Sequence, residues 1–112
     1  MLRLLERDPH GHRLRDLLAR FRTQELALAL HLQHLQALLE EAHRAASGAA
    51  VADGTAPAGS LRTRCLELQL ACDQLATELV HVRMAVTGVC EELAEHDRAR
   101  FEAENEQLSP TA

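Results

Sequence analysis

Aromatic residues are almost absent from this chain. Its 112 residues include two, Phe21 and Phe101, and neither Trp nor Tyr. Globular interiors are normally filled with large rings. A chain that is 46% apolar without them has to bury Leu, Ala and Val instead, which suits long helices joined along narrow seams. Lysine is missing as well. All twelve basic residues are arginine, and seventeen acidic residues bring the formal charge to −5. That balance excludes a general nucleic-acid binder, which carries a basic excess.

Cysteine is sparse and shows no metal-binding spacing. Cys65 and Cys72 lie seven residues apart, roughly 10 Å on a helix. A disulfide needs Cα atoms within about 7 Å. With Cys90 they read as reduced thiols, which places the chain inside the cell, in cytoplasm or nucleus. No apolar run approaches the ~20 residues of a membrane span. The opening MLRLLERDPH holds no signal-peptide core. Glycine and proline are few, and four of the eight (Gly48, Gly54, Pro57 and Gly59) cluster mid-chain.

What remains is periodic. Steps of four and three from Leu14 visit Leu14, Leu18, Phe21, Glu25, Leu28, Leu32, Leu35, Leu39, Ala42 and Ala46, apolar at every position except Glu25. From Leu61 the same steps visit Leu61, Cys65, Leu68, Cys72, Leu75, Leu79, Val82, Val86, Val89 and Leu93, all apolar. Such heptad spacing signals coiled-coil-like packing. The local alternation in ELALALHL does not persist past Leu32, so it is no strand. The spacing predicts an all-α fold: helix 1 over 12–46, a flexible connector over 47–60, and helix 2 over 61–104. Ser60 is the expected N-cap of helix 2 and Gly88 a point of weakness. Residues 1–11 and 105–112 read as flexible ends. Matched seams and a long connector predict an antiparallel two-helix hairpin that joins a larger helical bundle.

Charge placement favours the same topology. Arginines crowd residues 3–22 and acidic residues crowd 91–106, so an antiparallel fold sets opposite charges side by side. Glu25, the one charged seam position, is expected either to set register, paired with Arg83, or to reach water at the seam edge.

Chemistry finds little support. Glu40 with His43, and Glu78 with His81, have the Glu-x-x-His spacing of metal sites in helical bundles. Both pairs fall off the seam and far apart along a hairpin, and His31 and His34 flank the seam. No metal or cofactor is expected. There is no phosphate-binding loop, and Cys65 and Cys72 sit on the apolar seam. The chain is expected not to be an enzyme.

Leucines left over from the seam are more telling. Leu17, Leu26, Leu30 and Leu38 on helix 1, and Leu66, Leu70, Val80 and Met84 on helix 2, exceed what one partner helix can cover. Residues 26–39 contain no formal charge at all. These eight residues are the expected partner-binding surface, and the partners are other helical subunits or a second copy. The expected role is an interaction subunit or scaffold in a multiprotein complex. Vesicle-tethering, cytoskeletal, centrosomal and chromosome-associated assemblies have subunits of this build, an analogy of architecture alone. The alternative is an amphipathic helix lying on a membrane surface, which the acidic balance disfavours.

Overall fold

The computed structural model describes residues 8–52 and 57–108, and side chains over 8–48 and 59–107. It contains two helices, α1 (Pro9–Ala52) and α2 (Pro57–Leu108), which pack against each other as an antiparallel hairpin. The flexibility expected of residues 1–7, 53–56 and 109–112 lies outside the described residues.

Both helices run further than the heptad pattern suggests. Asp8 caps α1: its carboxylate Oδ1 accepts the Gly11 N–H at 3.1 Å, and its carbonyl accepts the His12 N–H at 3.0 Å. Pro9 follows at the first helical position, where its missing N–H costs nothing. The start signal is therefore Asp8-Pro9 rather than a frayed end at Gly11. At its other end α1 continues through Ala-rich residues to Ala52, alanine being the strongest helix former. Pro57 likewise opens α2, so Ser60 lies within the first turn instead of capping it. Gly88 sits inside α2 with open space where a Cβ would project, and the helix runs through it unbroken.

Side-chain packing follows the four-three steps. Each of the twenty seam positions is buried or half-buried. Contacts gather into two compact units, Glu25–His81 and Met1–Gln24 with Val82–Ala112. In the unit Glu25–His81, Ala42, Cys65 and Leu68 form a buried cluster against which Leu35, Leu38 and Leu39 pack. Cys72 and Leu79 are buried in the same unit. In the other unit, Leu14, Val82 and Val89 are buried. No large side chain among the described residues is completely enclosed. A seam between two helices has only one covered side, so its residues keep an edge in water.

Candidate functional site

Written as heptads, the buried seam occupies positions a and d. The exposed large apolar residues then fall on two other positions. Leu26, Leu66, Val80 and Phe101 take position b; Leu30, Leu70 and Met84 take position f. Positions b and f lie about 150° around the helix from a and d. These side chains point away from the hairpin partner and keep between 53% and 71% of their surface exposed.

Seven of the eight residues expected to be surplus are indeed exposed; Leu17 is the least so at 38%. Leu38 is the exception. It flanks the seam at position g and packs against the Ala42–Cys65–Leu68 cluster, so it belongs to the interior of its own hairpin. Phe101 joins the set. It continues the spacing from Met84 along α2, but three polar positions and Ala94 separate the two, so no local apolar pattern marks it in the sequence. Glu25 is half-buried at its seam position. His31, His34, His43 and His81, with Glu40 and Glu78, are all exposed, and the two Glu-x-x-His pairs build no ligand cluster.

Polar groups converge instead in the unit formed by the start of α1 and the end of α2. The seam steps beyond Leu93 land on His96 and Arg100, and the steps before Leu14 land on Gly11. Here the interior turns polar. Buried Asp8 receives Arg100 Nη1 on Oδ2 at 2.7 Å and lies 2.7 Å from His96 Nε2 through Oδ1. Arg15 Nη1 stands 3.7 Å from the same Oδ2, while Arg15 Nη2 donates to both oxygens of Asp97, at 2.9 and 3.2 Å. The His10 ring meets His96 edge-on, with centroids 4.9 Å apart. Gly11 makes the cluster possible: a Cβ there would collide with the Asp8 carboxylate.

The expected complementarity is thus present, but it runs in both senses. Arg15 on α1 meets Asp97 on α2, whereas Asp8, the cap of α1, meets Arg100 on α2. A parallel arrangement could form neither pair.

Burial alone would raise the Asp8 pKa. The His96 hydrogen bond, the Gly11 N–H and the positive charges of Arg100 and His96 outweigh it and hold the carboxyl at about 2, below its ordinary 3.8. A depressed folded-state pKa stabilises the fold above the ordinary value and ceases to do so as pH falls through the folded one. Acid should therefore weaken this end of the hairpin between about pH 4 and pH 2. Asp8→Asn keeps a capping oxygen and loses the charge. In thermal melts across that range, the variant is expected to lose less stability than the wild type. Parallel losses in the two proteins would show that Asp8 makes no such contribution.

Asp8, His96 and Asp97 each offer a ligand atom within 4.8 Å of the others, enough for a metal site on distance alone. Each of these carboxylate oxygens, and His96 Nε2, already has a hydrogen-bond partner. Arg100 Nη1 donates to Asp8, Arg15 Nη2 donates to both oxygens of Asp97, and His96 Nε2 is bound to Asp8. A divalent ion would have to displace two guanidinium groups, so the cluster acts as a tie between the helices.

Open hollows among the described residues include one lined by Asp73, Gln74, Thr77 and Glu78 and another lined by Glu91, Ala94, Glu95 and Arg98. Cys65 and Cys72 are buried on the seam, and Cys90 Sγ faces Arg22 Nη2 at 4.0 Å. No helix among the described residues is long and apolar enough to cross a membrane. Comparison with family models, curated proteins and solved structures gives no match to this chain.

Proposed function

We propose that this chain is a non-enzymatic interaction subunit, a helical hairpin that holds a multiprotein complex together by packing further helices against its outer faces. The observation that carries this reading is the placement of Leu26, Leu30, Leu66, Leu70, Val80, Met84 and Phe101 at positions b and f. A helix exposed on its outer side gains nothing from large apolar residues gathered there in pairs one turn apart, whereas a helix covered on both sides needs them. Partner helices would then stack behind α1 and α2. A compact four-helix bundle would instead use the flanking positions e and g, which carry Arg15, Arg22, Arg62, Arg83, Glu78 and Glu92. Buried and unpaired Cys65 and Cys72 fit a reducing compartment, cytoplasmic or nuclear.

The test is purification of the full chain from its own cell, in wild-type form and with Leu26→Glu plus Leu30→Glu. The wild type is expected to bring down a stoichiometric helical partner that the double variant loses, while both keep the same helicity. Equal recovery in both would remove α1 from the interface. Flotation of the purified chain with anionic vesicles at moderate salt would favour a membrane-surface role instead.

A further inference from the structure

We infer that the outer face of α2 is a homodimer contact, in which two copies of the chain pair antiparallel about a two-fold axis level with Leu75. This rests on the proposed role as an assembly subunit and names one partner, a second copy of the chain.

Successive f and b positions along α2 are Thr63, Leu66, Leu70, Asp73, Thr77, Val80, Met84 and Thr87, all exposed. Their polarity reads the same in both directions, two apolar pairs separated by two polar residues and closed by a threonine at each end. The midpoint falls at residue 75. A contact around a two-fold axis requires such self-complementarity, because each residue meets its mirror position on the other copy. Pairing about that point sets Leu66 opposite Met84 of the second copy, Leu70 opposite Val80, Asp73 opposite Thr77, and Thr63 opposite Thr87.

The flanks agree. On one side Glu67 would meet His81, and Gln74 its own counterpart. On the other Gln69 would meet Arg83, Arg62 would meet Cys90, and Ala76 its own counterpart. No like-charged pair arises. The outer face of α1 is also symmetric in polarity, about Leu28, but the same pairing there sets Asp16 opposite Glu40 and joins only Leu26 to Leu30. Charge therefore favours α2 for self-association and leaves α1 for a different helix.

The threonines of the stripe are suited to being covered. Thr63, Thr77 and Thr87 donate their hydroxyls to the carbonyls of Gly59, Asp73 and Arg83, at 3.1, 3.0 and 3.1 Å. Each hydroxyl donor is satisfied within α2, so a second helix can cover it without stranding a proton. Asp73 accepts Gln69 Nε2 at 3.0 Å. From Thr63 to Thr87 the stripe is about 36 Å long at the rise of an α-helix. One helix-to-helix contact of that length falls in the small class of interfaces, below about 1,200 Å² in total, which gives a weak and concentration-dependent dimer.

Sedimentation equilibrium of the full chain tests the register. Wild type is expected to dimerise reversibly, and L66E or M84R alone to weaken the dimer about tenfold or more. An equimolar mixture of L66E and M84R is expected to restore it, since Glu then faces Arg across the axis, whereas L66E mixed with M84E is not. Leu66 and Met84 are 71% and 66% exposed, so the melting temperature of each variant at low concentration should match the wild type. A wild type that stays monomeric at every concentration, a dimer indifferent to both substitutions, or a mixture that fails to recover would overturn the inference. A monomeric wild type whose helical partner in cells is lost with L66E would overturn it too, while leaving the proposed function standing.

Discussion

Replacing Leu68 with alanine is expected to cost about 2–3 kcal/mol of folding stability, read from the thermal or urea midpoint of the helical signal. Leu68 is 8% exposed and shares a buried cluster with Ala42 and Cys65. Neither of these small neighbours can extend to close the cavity, so the loss combines the transfer of three methyl and methine carbons with an unfilled void. Leu70, two residues on, turns to the other side of α2 and is 60% exposed. At concentrations where the chain is monomeric, Leu70→Ala should fall within about 0.5 kcal/mol of wild type. Similar costs at both positions would contradict the assignment of an inner and an outer face.

Gly11→Ala is expected to lower the melting temperature by roughly 5–10 °C, against the usual gain from replacing a helical glycine by alanine. The added methyl would occupy the place of the Asp8 carboxylate. That carboxylate caps α1 and receives His96 and Arg100 from α2, so moving it releases a helix end and an interhelical tie together. The loss should resemble that of Asp8→Ala, and the double variant should be little worse than either single one, because both remove the same contacts. Additive losses would mean that Gly11 and Asp8 act separately.

The inner seam could be read from the order of residues because burial against one neighbour demands a four-three repeat of apolar side chains, and that repeat is nearly unbroken from Leu14 to Ala46 and from Leu61 to Leu93. The polar end of the hairpin was harder to see for the same reason. His96 and Arg100 continue the repeat, but the apolar part of it ends at Leu93. Asp8-Pro9 is a helix-start signature that Gly11 disguises, since glycine ordinarily marks a break and is needed here for close approach of a carboxylate. The surplus leucines were visible individually. Their common direction needed the seam fixed first, because only then do Leu26, Leu30, Leu66, Leu70, Val80 and Met84 resolve into one pair of heptad positions. Leu38 shows the converse. It lies one residue from a seam position, and at the flank a long side chain can lean inward to join the core.

The central claim is that the outer faces of both helices are covered in the working assembly. Native mass measurement of the full chain, purified intact from its own cell, addresses it most directly. The account predicts that the chain is found only within a heavier complex of defined stoichiometry, and that glutamate at Leu26 and Leu30 together with Leu66 and Met84 releases it. A single 12.4-kDa species in the wild type, with no bound partner and no second copy, would contradict it.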